Sequence, residues 1–124
     1  MTGGMKDGLV SGDRHMTRAE LDDRAARAAN GFRHIGVKPG DSIALFLRND
    51  FAFFEASLAA QRIGAYAVPI NWHFKAEEVE YILRDCGARV FIVHADLWPV
   101  VAHVAPPGVH VFIAPTPPEL AAAY

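Results

Sequence analysis

Apolar residues first recur with a helical period at Leu21, Ala25, Ala28, Phe32 and Ile35, a spacing that draws one stripe along a long amphipathic helix. Thr17 stands three residues before Glu20, the spacing of a capping box, and Gly36 supplies the left-handed end. Asp22, Asp23, Arg24 and Arg27 take the other faces. Residues 42–47 (SIALFL) are nearly all apolar, as expected of a central strand covered on both faces of a parallel sheet. Asn49 or Asp50 is positioned to cap the next helix, with Phe51, Phe54 and Leu58 on one stripe and Gly64 closing it. Residues 66–70 then read as a strand and 76–86 as a helix followed by Gly87. A strand at 89–94, a short helix at 96–104 capped by Asp96, and a last strand at 109–113 complete the pattern. Upstream, Gly12-Asp13 lies between two short extended runs, which predicts a tight hairpin.

Strands alternating with helices at this spacing imply right-handed βαβ crossovers. The expected fold is α/β, a mainly parallel sheet built from successive βαβ units, with the small amino-terminal β-hairpin at its edge or packed beside it. A chain of 124 residues suits one domain. That domain is expected over residues 1–113, with 114–124 (APTPPELAAAY, three prolines) as a loose carboxy-terminal tail.

Charge removes some classes of function. Twelve Lys and Arg against 14 Asp and Glu leave a formal net charge of −2, so no basic field argues for nucleic acid or an anionic membrane. No apolar run reaches the length of a signal segment or a membrane span, which gives an expectation of a cytoplasmic protein. Cys86 shares a helical face with Val79, Ile82 and Leu83 and reads as core filler.

The order of signals, MTRAELDDRAARAANGFRHIGVKPGDSIALFLRND and then FFEASLAAQRIGAYAVPINWHFKAEEVEYILRDCGARVFI, resembles the adenylate-forming (AMP-dependent) acyl-CoA synthetases. Each motif is weak alone, but the Gly36 to Asp41 turn, the Ile63-Gly64-Ala65 helix end, Asn71 and the Ala-Glu-Glu-Val helix start coincide in order and spacing. The resemblance implies the first subdomain of the adenylate-forming enzyme fold. It implies an activity in which ATP activates a small carboxylic acid as an acyl-adenylate, magnesium assists, and the acyl group passes to coenzyme A. In that family this segment is mainly scaffold. Adenylation needs a Gly/Ser/Thr-rich loop with a Lys that holds phosphates, and no such loop occurs in these 124 residues. The family's catalytic Lys is likewise not matched, so no catalytic residue is assigned, the chain alone is expected to be inactive, and no cofactor is expected to bind it tightly.

Asn71, Trp72 and His73 follow a strand directly, and ligands of open α/β sheets gather beyond the carboxyl ends of strands. By resemblance this is a coenzyme A-facing loop, in which Trp72 would stack on adenine and His73 meet a phosphate. The structural alternative is that Trp72 and Phe74 pack helix on sheet while Asn71 bonds turn backbone. His94 and Asp96 close a strand and have a weaker claim on a polar ligand. The six histidines show no H-E-x-x-H spacing, so no metal site is expected. Glu77, Glu78 and Glu80 at a helix start answer the helix dipole. Arg24, Arg27 and Arg33 read as solvated helix.

Three readings follow: a piece of an acid–CoA ligase, a non-catalytic α/β module that binds a nucleotide or coenzyme A, and a decayed reading frame. The first predicts that strands 42–47 and 89–94 have neighbours in the full enzyme that the isolated chain lacks, so that it exposes an apolar patch or an unpaired sheet edge through which it self-associates.

Overall fold

The computed structural model describes residues 9–11, 14–48 and 50–117. Strands β1 (Leu9–Ser11) and β2 (Arg14–Met16) pair antiparallel, with Leu9 opposite Met16. The expected turn at residues 12 and 13 lies outside the described residues. Helix α1 (Arg18–His34) starts on the expected capping box: the Thr17 hydroxyl accepts the Glu20 N–H at 3.1 Å, and the Glu20 carboxylate accepts the Thr17 N–H at 3.4 Å. Its buried face is Leu21, Ala25, Ala29 and Phe32, with Ala28 and Ile35 half-buried beside it.

Strands β3 (Ser42–Phe46), β4 (Tyr66–Pro69), β5 (Val90–His94) and β6 (His110–Ala114) form one parallel sheet in the order β4-β3-β5-β6. Side chains alternate across it. On one face Ile43, Leu45, Val90 and Ile92 meet Ala29 and Phe32 of α1 and Ala56, Ala59 and Ala60 of α2 (Phe51–Arg62). On the other, Ala44, Phe46, Phe91 and Val93 meet Val79 and Leu83 of α3 (Ala76–Asp85) and Val101 of the short α4 (Trp98–Val101). This double cover explains the continuous apolar runs. Fully buried side chains such as Phe46 and Phe91 contribute about 1.5–3 kcal/mol each through burial.

Several expectations need correction. Strands 42–47 and 89–94 do not lack neighbours: β4 and β6 flank them, and these two are the edges among the described residues. The helix expected over 96–104 begins later, at Trp98, because Pro99 fits only a first turn, and it is one turn of α-helix followed by a 3-10 turn at Ala102–Val104. Asp96 does not cap it; Leu97 occupies that position and the Asp96 carboxylate is engaged elsewhere. Asp50 stands at the N-cap of α2 without a side-chain cap bond, and Asn49 lies outside the described residues. Phe54 is exposed, since the alanines 56, 59 and 60 form the face that approaches the sheet. Ala114, expected in the tail, closes β6. Among the described residues no helix is long and apolar enough to cross a membrane.

Candidate functional site

Polar side chains collect where the parallel strands end. Two residues past β3, Arg48 is buried, and its Nε and Nη2 both donate to Oδ2 of Asp96, two residues past β5, with the Nε contact at 3.0 Å. The hydroxyl of Thr116, two residues past β6, donates to Asp96 Oδ1 at 2.7 Å and accepts the Asp96 N–H at 3.0 Å. Three strand ends are therefore tied through one carboxylate. Partial burial works against the charge of Asp96, but the bonds from Arg48 and Thr116 and the positive charge of Arg48 outweigh it and hold its pKa below the usual carboxylate range.

His94, the last residue of β5, is fully buried. Its Nδ1 accepts the Arg48 backbone N–H at 2.9 Å, a bond that requires a lone pair on Nδ1 and so puts the ring proton of the neutral imidazole on Nε2. Nε2 lies 3.8 Å from Oδ2 of the buried Asp50. Asp50, Phe51, Thr116 and Glu55 line a groove of about 460 Å³ beside these strand ends. Burial raises the pKa of Glu55 above the ordinary carboxylate value, opposed by Arg24, whose Nε is 2.7 Å away. Arg24 thus joins α1 to α2 and is not only a solvated helix residue.

The loop after β4 carries Asn71, Trp72 and His73. The Asn71 side-chain oxygen accepts the His73 N–H at 3.0 Å and its backbone carbonyl accepts the Phe74 N–H at 2.9 Å, which closes the turn. Trp72 and Phe74 pack on the α3 side of the core. Both structural roles considered from sequence are present. The Trp72 ring also meets two flat groups: the His73 imidazole stacks on it with centroids 3.6 Å apart, and the Arg48 guanidinium carbon lies 4.4 Å from its centroid. Asn71 and His73 are exposed and Trp72 half-buried.

The position of 71–73 at the carboxyl end of the sheet is legible in the sequence, whereas the roles of Arg48 and Thr116 are not. A charged residue closing the run SIALFLR was the available signal, since it places a cation at the carboxyl end of a central strand. Among the described residues no cluster of His, Cys, Asp and Glu is arranged to hold a metal ion. Among the described residues the arrangement offers an aromatic surface backed by a buried cation.

The chain is 43% identical over 77 residues to a feruloyl-CoA synthase of an Amycolatopsis species, covering 62% of this chain and 16% of that protein. It is 38% identical over 102 residues to the long-chain-fatty-acid–CoA ligase FadD13 of Mycobacterium tuberculosis, covering 79% and 20%. Among solved structures, the anthranilate CoA ligase AuaEII in complex with anthranoyl-AMP superposes with a TM-score of 0.83 at 32% identity, over 88% of this chain and 22% of that one. The chain thus spans about a fifth of the length of these relatives. Residues 4–120 match the AMP-binding enzyme family, the superposition and the relatives agree with that match, and the chain belongs to this family of adenylate-forming enzymes.

Proposed function

We propose that this chain supplies the sheet scaffold and one ligand-facing loop of an ATP-dependent carboxylic acid–CoA ligase. In such an enzyme the acid displaces pyrophosphate from ATP to give an acyl-adenylate, and the thiol of coenzyme A then displaces AMP. What supports this reading is the exposed loop 71–73 beyond the carboxyl end of β4, in a family whose members include CoA ligases. The imidazole of His73, exposed and backed by the Trp72 indole, offers a flat face to the base of coenzyme A and a ring N–H to its phosphates. The described residues offer no carboxylate cluster for magnesium. The 124 residues contain no glycine-rich phosphate loop with its Lys, so ATP and magnesium would be held by other parts of the enzyme. Purified chain incubated with ATP, labelled pyrophosphate and a panel of carboxylic acids is expected to show exchange at background; exchange above background overturns the assignment of a scaffold role. Tight binding of coenzyme A or ATP in calorimetry would favour the non-catalytic module.

Self-association is the second part of the proposal, and edge strand β6 supports it. The His110 N–H donates to the Arg89 carbonyl at 3.0 Å and the Ala114 carbonyl accepts the Ala95 N–H at 2.8 Å. Alternate residues 110, 112 and 114 therefore face β5, and the backbone groups of Val111 and Ile113 point to the open side. Phe112 and Ile113 are 42% and 49% exposed. A second copy running antiparallel about Phe112 would set Val111 opposite Ile113, forming a self-complementary ladder. A groove of about 420 Å³ lined by Phe32, Ile35, Ala56, Ile92 and Phe112 adjoins that edge.

A further inference from the structure

The loop 71–73 is closed along its backbone by Asn71, which accepts the His73 N–H, so the freedom left to it lies in the side chains of Trp72 and His73. Those two rings are stacked, 3.6 Å between centroids and 29° between planes. Behind them stands a guanidinium that cannot turn easily. Two of its nitrogens donate to one Asp96 oxygen, and the other Asp96 oxygen is held by Thr116, which is itself bonded by the Asp96 backbone. A planar group fixed along one edge presents a fixed face. The Arg48 guanidinium carbon lies 4.4 Å from the centre of the Trp72 ring.

We propose that Arg48 is a positioning residue: aimed by Asp96 and Thr116, its guanidinium seats the Trp72 indole and thereby sets the His73 imidazole that the loop presents to ligand. The inference rests on the reading of 71–73 as the coenzyme A-facing loop. Arg48 touches no ligand in this scheme and acts through Trp72. Because the indole already carries two flat groups, the ring offered to an arriving base is the exposed imidazole of His73.

The test is an NMR measurement on the full chain. An imidazole stacked on an indole has its ring protons shifted upfield by the indole ring current. In Arg48→Met/Asp96→Asn, which removes both charges together so that neither is left alone, the His73 upfield shift is expected to disappear while the amide pattern of the sheet persists. Arg48→Lys keeps the charge but not the plane or the two-point hold on Asp96, and is expected to lose most of the shift as well. Thr116→Ala, at a half-buried position past β6, is expected to reduce it in a chain whose core is untouched, and keeps the test available if the double variant fails to fold. His73 resonances at their original positions in folded variants would overturn the proposal. Titration with coenzyme A separates the two claims. Coenzyme A that leaves His73 unmoved in the unmodified chain sinks the ligand reading and not the positioning. Coenzyme A that moves His73 equally in the unmodified chain and in a variant that has lost the ring-current shift sinks the link from Arg48 to ligand.

Discussion

The backbone N–H of Arg48 donates to Nδ1 of His94, 2.9 Å away and 46 positions later in the chain. This bond continues the register of β3 against β5, in which Phe46 pairs with Val93, by one step after the strand has ended. A side chain takes over where the main-chain ladder stops, so a buried donor at the edge of the candidate site keeps its acceptor.

His94→Leu should therefore destabilise the chain by about 1–3 kcal/mol, the cost of leaving a buried donor unsatisfied. His94→Asn, whose Oδ1 reaches about as far as Nδ1, should recover part of the loss. The midpoints of urea unfolding curves report both. Equal midpoints for His94→Leu and the unmodified chain would remove the bond from any account of stability.

Asp96 governs a pH dependence. Partial burial raises its pKa, but the bonds from Arg48 and Thr116 and the charge of Arg48 bring it below the ordinary value. A carboxylate depressed on folding contributes stability that is fully present above its unfolded pKa, about 4, and is lost as pH falls through the lower folded value. Glu55 has the opposite sign. Its raised pKa means that stability declines as pH rises from the ordinary carboxylate value through the folded one. Asp96→Asn should flatten the acid limb of the stability profile and leave the Glu55 limb in place. Asp96→Ala, which withdraws the carboxylate from a guanidinium side chain only 6% exposed, should cost about 3–5 kcal/mol at neutral pH. An acid limb unchanged in Asp96→Asn would show that other carboxylates carry it.

Gly64 ends α2 with a φ of 73°, and a Cβ added there would stand 3.3 Å from Pro39 Cβ. Its carbonyl accepts the Gly40 N–H at 2.9 Å, which locks the turn before β3 to the turn before β4. Gly64→Ala combines a left-handed backbone, about 1–2 kcal/mol for a residue with a Cβ, with a close contact to a rigid ring. The expected loss is about 2 kcal/mol, read as a lowered thermal midpoint. Gly40, whose φ is 90° but whose added Cβ would meet nothing within 4 Å, provides the comparison: Gly40→Ala should cost only the backbone share.

The contrast between these two glycines also shows what the sequence made legible. Gly36, Gly64 and Gly87 announce helix ends through their backbone freedom, and the runs SIALF and VFIVH announce buried strands through composition. These are local signals, and the parallel α/β class followed from them. The Arg48–Asp96–Thr116 tie joins residues 48 and 20 positions apart, so no spacing along the chain encodes it. The same distance hid the flank of β5: from sequence its neighbours seemed to lie outside the chain, whereas the crossover through α4 returns β6 to its side. For loop 71–73 the position beyond a strand was readable, while the contacts of the Trp72 ring with Arg48 and His73 waited on the three-dimensional arrangement.

Among the described residues the edge of β6 is open. Ile113 is 49% exposed, and its N–H and carbonyl point away from β5 by the alternation fixed at His110 and Ala114. Strand edges are kept from pairing by charge, and His110–Ala114 carries neither Lys nor Arg nor an acidic residue. Ile113→Lys places a cation on that edge without touching the core, so it should leave the unfolding free energy within about 0.5 kcal/mol of the unmodified chain. In the antiparallel arrangement the new Lys of one copy would stand opposite Val111 of the other, at both ends of the short ladder, and its desolvation would oppose pairing twice. Sedimentation over a concentration series should then show association in the unmodified chain and a monomer in Ile113→Lys. Tyr66→Lys, on the opposite edge strand β4 where Tyr66 is 65% exposed, should leave association unchanged. Association lost equally in both variants would mean that charge alone, and not the β6 edge, decides the matter.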